Sequence, residues 1–208
     1  MVSIIQVTPQ ISYIPPSDNP LSANVGIVKC GSQTIFYDVG AASESADFIE
    51  SFEGKKSAVL SHFHPDHTAN VVRIHPDCIY GGKQSIKICQ IGLSKAELVL
   101  VQNDIYIEDN AKIHILPFPN SHEKGSLALE VNEEYVFVGD ATYCKALHGG
   151  RVYNPQLLQE EIKVLETLKA RFALVSHEKD FVQDKEKILT KLKKIYGYWD
   201  KRSKWIEL

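Results

Sequence analysis

The sequence contains little cysteine, little methionine and no long hydrophobic run. Its 208 residues include 4 cysteines and 1 methionine. The cysteines show no Cys-x-x-Cys spacing, so we expect free thiols rather than a disulfide framework or an all-cysteine zinc site. They are Cys30, Cys78, Cys89 and Cys144. No apolar run approaches the roughly 20 residues of a membrane-spanning helix, so no membrane association is predicted.

A strong excess of one charge is also lacking. The 23 basic and 26 acidic residues leave a net charge of -3, which gives no electrostatic reason to expect nucleic acid or an anionic membrane as a partner. Residues 1–7 lack a basic segment followed by a long apolar one, so we expect no signal peptide and a cytoplasmic protein. Length and an ordinary globular composition predict a single domain over residues 1–208.

A cluster of histidine and aspartate stands out against this ordinary background. Residues 61–67 read Ser-His-Phe-His-Pro-Asp-His and follow a short apolar run that predicts a buried strand. In an extended segment, side chains two residues apart point the same way, so His62 and His64 could bind one metal ion together. Imidazole and carboxylate suit zinc and, less selectively, iron or manganese. The alternative is a His-rich surface loop.

The second half of the cluster is predicted to point elsewhere. Pro65 suits the first position of a helix, so the chain should turn there. Asp66 and His67 follow this turn and would face a second ion. We expect the helix to continue over residues 68–73.

Four further polar residues follow predicted strands along the chain. Asp38, Asp140 and His177 come directly after apolar strands, and His122 follows a strand and a proline-rich turn. Taken singly, the aspartates could be turn or cap residues and the histidines could be structural or exposed. If the strands end at one shared edge, all four converge on the cluster.

The predicted elements favour an α+β protein with two layers of sheet and helices outside. Strand-rich stretches alternate with helix candidates, among them residues 46–52 and a helix that Asn154 caps and Pro155 begins. Leu192 and Ile195 belong to the apolar face of a final helix. The segments 15–24 and 143–153 are expected to shape a pocket, although their conformations cannot be predicted.

The ordered pattern of these residues resembles the metallo-β-lactamase superfamily of metal-dependent hydrolases. The family pattern is an early Asp, His-x-His-x-Asp-His, a later His, a later Asp and a final His. The resemblance covers essentially the whole chain and implies a four-layer αβ/βα sandwich of two mixed β-sheets flanked by helices. The matching residues are Asp38, His62, His64, Asp66, His67, His122, Asp140 and His177.

The resemblance also implies a role for each of these residues. His62, His64 and His122 would hold a first divalent ion, Asp66, His67 and His177 a second, and Asp140 would bridge both. Asp38 would support a ligand by hydrogen bonding. Two zinc ions are expected, with iron or manganese possible, and Asp66 and Asp140 would also orient an attacking hydroxide.

The implied function is hydrolysis of a small-molecule ester, lactone, thioester, amide or phosphodiester. A mono-iron oxidoreductase of the sulfur-dioxygenase type and a non-catalytic metal-binding domain are the alternatives. Flavodiiron members place Glu where His64 stands, which disfavours them. Tyr143, Lys145 and His148 follow the bridging Asp and are candidate substrate contacts, whereas His75 and His114 match no motif position. The sequence indicates neither the substrate nor the oligomeric state.

Overall fold

The computed structural model describes residues 2–90, 95–147 and 149–208. In chain order its strands are Ile5–Gln6 (β1), Ile11–Ile14 (β2), Ser17–Asp18 (β3), Leu21–Ser22 (β4), Val25–Cys30 (β5), Gln33–Tyr37 (β6), Lys55–Val59 (β7), Cys78–Gly81 (β8), Glu97–Leu100 (β9), Ile105–Glu108 (β10), Lys112–Pro117 (β11), Leu127–Val131 (β12), Tyr135–Gly139 (β13), Lys145–Leu147 (β14), Gly150–Tyr153 (β15), Phe172–Val175 (β16), Val182–Asp184 (β17) and Ile206–Glu207 (β18). The helices are Ser43–Glu50 (α1), Pro65–Thr68 (α2), Lys83–Cys89 (α3), Pro155–Thr167 (α4) and Lys185–Gly197 (α5).

Two mixed sheets form the centre of the molecule. The first has the order β1-β2-β5-β6-β7-β8-β9, and the second the order β10-β11-β12-β13-β16-β17. In the first sheet β6, β7, β8 and β9 are parallel, and each crossover between them carries one of the helices α1, α2 and α3. The single parallel pair of the second sheet, β13 and β16, is joined through α4. Parallel strands need such long crossovers, which place helices on the sheet faces.

The core is divided into three apolar layers. A central layer packs the two sheets together, with Ile35 and Val59 from the first sheet and Leu129 and Phe137 from the second. A second layer lies beneath α1 and contains Ile49 among its buried residues. A third layer joins the second sheet to α4 and α5. The expected α+β sandwich, with helices outside two sheets, is confirmed.

Several local predictions are confirmed and others need correction. Asn154 caps α4, since its side chain accepts a hydrogen bond from the Leu157 N–H at 3.0 Å. The first helix spans Ser43–Glu50 rather than residues 46–52. The helix predicted to begin at Pro65 does begin there, but it ends at Thr68, and the continuation expected over residues 68–73 is instead a 3₁₀ turn at Ala69–Val72. All four cysteines are free.

The two segments of unpredicted conformation contain short strands. β3 and β4 form a hairpin, and β14 and β15 form a small sheet with β18 near the end of the chain. Tyr153 pairs with Ile206, and the Leu208 N–H donates to the Arg151 carbonyl at 3.0 Å. Over the part of the chain that the structure describes, no helix is both long and apolar enough to cross a membrane.

Candidate metal centre

The predicted site residues follow strand ends that meet at one edge of the sandwich. Asp38 follows β6, the 61–67 segment begins two residues after β7, Asp140 follows β13 and His177 lies two residues beyond β16. Each of the pairs β6/β7 and β13/β16 is parallel, so their carboxyl ends lie on the same side. Asp38 and His177 have φ values of 60° and 62°, a left-handed backbone that redirects each side chain after its strand.

The structure brings seven predicted ligands into two groups. His62, His64 and His122 form the first, and Asp66, His67, Asp140 and His177 form the second. Within each group, one donor atom per residue lies within 4.8 Å of all the others.

In the first group, which we call the three-histidine group, the ring centroids lie close together. His62 is 4.4 Å from His64 and 5.2 Å from His122, and the last two are 5.0 Å apart. Burial and the neighbouring imidazoles hold the pKa of His62 well below its usual range. Burial also lowers the pKa of His122. Both rings are therefore neutral near pH 7 and keep a lone pair for a metal ion.

The second group mixes carboxylates and imidazoles, and we call it the mixed group. His177 Nε2 lies 3.0 Å from Asp66 Oδ2, and His67 Nε2 lies 3.4 Å from the same oxygen. Burial raises the pKa of Asp66, but the hydrogen bond from His177 and the charge of His67 outweigh burial and lower it. The Asp66 carboxylate is therefore ionised at neutral pH.

Asp140 lies between the two groups. Its Oδ1 is 3.4 Å from His67 Nε2, and its Oδ2 is 3.7 Å from His122 Nε2. One carboxylate oxygen thus faces each group, which is the arrangement that a bridging ligand requires.

The donor atoms of the site fit a metal ion. Among the described residues, buried side-chain atoms without a hydrogen-bond partner include His62 Nε2, His67 Nε2, both ring nitrogens of His122 and Asp140 Oδ1. Buried polar atoms are normally hydrogen-bonded, so several unpaired nitrogen and oxygen atoms close together need an explanation. Imidazole and carboxylate together are typical ligands of divalent cations, and a bound cation would satisfy these atoms.

Asp38 contacts the mixed group from behind. Its Oδ2 accepts a hydrogen bond from His67 Nδ1 at 2.7 Å, and both side chains are fully buried. Burial lowers the pKa of His67, but Asp38 and Asp140 outweigh burial and raise it to about 10. In the absence of metal His67 is therefore protonated at neutral pH, and a bound cation would have to displace the Nε2 proton.

Sequence reasoning missed three neighbours of the ligands. The Asn24 side-chain oxygen accepts a hydrogen bond from the His177 N–H at 3.0 Å, and Glu123 Oε2 lies 3.7 Å from His64 Nε2. The Ser61 hydroxyl touches two ligand rings. Glu123 and Ser61 are adjacent to ligands in sequence, which is a signal that could have indicated them. Asn24 is 153 residues from His177 and carries no such signal.

An open cleft of about 470 Å³ lies against the mixed group. The cleft is lined by Pro16, Ser17, Asp18, Leu21, Asp66, Asp140, Tyr143 and His177. The Tyr143 hydroxyl donates to the Ser176 carbonyl at 2.7 Å, so its proton is already engaged within the protein.

The other two candidate substrate contacts stay predictions. Lys145 is exposed on β14, and His148 lies outside the described residues. Two further histidines have local partners: His75 Nδ1 lies 2.8 Å from Glu50, and His114 is held between Asp104 and Glu130. Neither histidine belongs to the two ligand groups, and these local partners account for both.

Comparison with known proteins identifies the fold. No protein-family model matches the chain, and no curated protein matches its sequence. Solved structures do match. The DIM-1 metallo-β-lactamase has a TM-score of 0.70 and 16% identity, covering 94% of this chain and 97% of that one. A metallo-β-lactamase superfamily protein from Sulfolobus tokodaii has a TM-score of 0.58 and 15% identity, covering 91% and 87%.

A larger protein also shares this architecture. A mutant flavodiiron protein from Thermotoga maritima matches with a TM-score of 0.68 and 15% identity over 97% of this chain, which spans 64% of that protein. The chain is thus an α+β sandwich with a candidate metal centre at one edge. Its fold is the metallo-β-lactamase fold, and the resemblance seen in the sequence is confirmed at the level of the fold.

Proposed function

We propose that the protein is a hydrolase that uses two divalent metal ions. One observation carries this proposal: seven potential ligands form two adjacent groups, and Asp140 directs one oxygen toward each. Each group contains at least three donor side chains, which favours two ions over a single-iron centre. The names of the structural neighbours, a metallo-β-lactamase and a di-iron protein, agree with a metal centre at this edge of the fold.

The donor chemistry supports zinc as the metal. Three imidazoles in the first group leave an open position, as in catalytic zinc sites with three protein ligands. The mixed group adds two carboxylates and two imidazoles, a set that zinc, iron and manganese all accept. The described cysteines lie outside both groups, so a thiolate site is not part of the proposal.

Two bound metal ions would supply a hydroxide nucleophile at neutral pH and would polarise the substrate oxygen. The protein's own side chains do the rest. Asp66 and Asp140 can accept hydrogen bonds from the attacking water and orient it toward the reacting carbon or phosphorus. Asp38 holds the His67 ring by its Nδ1–H. The His177 ring is oriented by Asp66 and by the backbone bond to Asn24.

The cleft favours substrates with an apolar group beside the scissile bond. Pro16, Leu21 and Tyr143 provide the apolar part of its lining, next to the polar residues Ser17 and Asp18. We therefore propose an ester, thioester or lactone with an apolar acyl portion, while an amide or phosphodiester remains compatible with the metal chemistry.

Metal content and turnover test the proposal together. Elemental analysis of protein purified without an affinity tag should give about two zinc ions per chain. A panel of acyl esters, thioesters, lactones and phosphodiesters should then show hydrolysis that stops on chelation and returns with zinc.

A double variant provides the control. His62→Ala with His64→Ala should lose metal and turnover, whereas His75→Ala, an exposed histidine paired with Glu50, should keep both. Unchanged metal content and turnover in the double variant would refute the proposal. About one iron per chain with oxygen uptake would instead support the oxidoreductase alternative.

A further inference from the structure

We propose that Ser61 is a positioning residue that determines which ring nitrogen of His62 faces the metal pair and links the two ligand groups. The proposal rests on the proposed function in one respect, namely that these groups bind metal. Nothing in the sequence pattern required a role for this serine, which lies just before the histidine cluster.

The Ser61 hydroxyl contacts a ligand from each group. Its Oγ lies 3.0 Å from His62 Nδ1 and 3.2 Å from His67 Nδ1. The Ser61 backbone N–H donates to Asp38 Oδ1 at 2.7 Å, while Asp38 Oδ2 accepts from His67 Nδ1 at 2.7 Å. Ser61 and Asp38 therefore form one hydrogen-bonded unit behind both histidines.

This unit selects the tautomer of the His62 ring, while the His67 Nδ1–H donates a hydrogen bond to Asp38. For His62, a proton on Nε2 would have no acceptor among the described residues, because that atom is buried and unpaired. A proton on Nδ1 is accepted by the Ser61 oxygen. The hydrogen bond made by one ring nitrogen decides which nitrogen keeps its lone pair, so His62 Nε2 is the metal-binding atom.

Packing holds the Ser61 side chain in place. The residue is 1% exposed, and its carbonyl accepts the Leu127 N–H at 2.8 Å. A Cβ added to Gly139 would lie 2.7 Å from Ser61 Cβ and 2.9 Å from its hydroxyl oxygen, both too close for real contacts. Gly139 directly precedes Asp140, so Ser61 packs against the backbone that carries the bridging carboxylate.

Removing one oxygen atom tests the role. In Ser61→Ala, His62 Nδ1–H loses its acceptor, and we expect both His62 tautomers to be populated in the metal-free protein. Long-range ¹H–¹⁵N spectra of labelled histidines measure this directly. Loss of an outer-shell partner typically weakens metal binding 10- to 100-fold, so one of the two zinc ions should bind at least 10-fold more weakly. Titration of Zn²⁺ against a chromophoric chelator measures the affinity.

Ser57→Ala is the matched control. Ser57 lies on β7 and, like Ser61, is 1% exposed. Its hydroxyl donates a hydrogen bond to the Gln33 side-chain oxygen at 3.3 Å, away from the metal centre. Mixed tautomers and weaker zinc binding in Ser61→Ala alone would support the proposal. A single Nδ1–H tautomer with wild-type affinity in Ser61→Ala, or equal losses in both variants, would overturn it. If the wild-type protein bound no zinc, the proposed function would fail, and the tautomer measurement would still decide the role of Ser61.

Discussion

Glu161 provides a sharp test of the packing described for α4. Its side chain is 0% exposed, and neither carboxylate oxygen has a hydrogen-bond partner among the described residues. Burial alone raises the pKa of this carboxyl well above its ordinary value. The group is therefore protonated in the folded protein at pH values where the unfolded chain has already lost the proton.

The sign of the pH dependence follows from this difference. Between an unfolded pKa of about 4.3 and the raised folded pKa, the native state binds one more proton than the unfolded state. Stability then falls as pH rises, by about 1.4 kcal/mol for each pH unit. Below the unfolded pKa both states hold the proton, and Glu161 contributes no slope.

The substitution Glu161→Gln removes this titration while keeping the shape of the side chain. The free energy of unfolding of the variant relative to wild type should therefore increase by about 1.4 kcal/mol per pH unit from pH 5 upward, or about 3–6 °C in melting temperature for a chain of this length. Glu161→Met also removes an unpaired buried polar group and should be more stable than wild type at pH 5 by about 1–3 kcal/mol.

Urea unfolding of the metal-free proteins at pH 5, 6 and 7 measures both effects. Because the ligand histidines are common to all variants, their titration cancels in the differences. Glu160→Gln, at an exposed position on the same helix, is the control and should show no pH-dependent difference. A Glu161→Gln curve parallel to that of wild type would refute the account of a buried, unpaired carboxyl.

Three further substitutions test the structure elsewhere. Gly139→Ala should destabilise the metal-free protein by about 2–5 kcal/mol in urea unfolding, since it adds left-handed backbone strain and a clash with Ser61. Gly54→Ala is the control. Its Cβ would meet the Ser32 carbonyl at an ordinary 3.5 Å, so this substitution should lose only the stability that the backbone strain costs. Lys185→Met should destabilise by about 2 kcal/mol, because the buried Nζ donates to two carbonyls at the end of α4; thermal melts check this, and an unchanged melting temperature would contradict it. Asn24→Ala should weaken zinc binding about 10-fold in chelator competition, as the His177 N–H loses its acceptor, and wild-type affinity would show that the backbone holds His177 without help.

Much of the fold could be predicted because its signals are local. The Asn154 cap, the proline that begins α2 and the alternation of strands with helices each depend on a few neighbouring residues. The small sheet of β14, β15 and β18 could not be predicted, because β18 has only two residues and pairs with a segment more than 50 positions away. Short strands have little pattern of their own, and their pairing depends on where packing brings the tail.

The sequence by itself determined the donor set of the candidate site. The two-residue spacing of His62 and His64 places both side chains on one face, and the residues at strand ends supply the remaining donors. Only the tertiary structure decided how these donors divide into two groups, that Asp140 lies between them, and that Asn24 and Ser61 support the ligand rings. The same holds for Tyr143, which lines the cleft and whose hydroxyl donates to the Ser176 carbonyl. Distances between residues far apart in the chain depend on how the two sheets pack, and no local spacing encodes them.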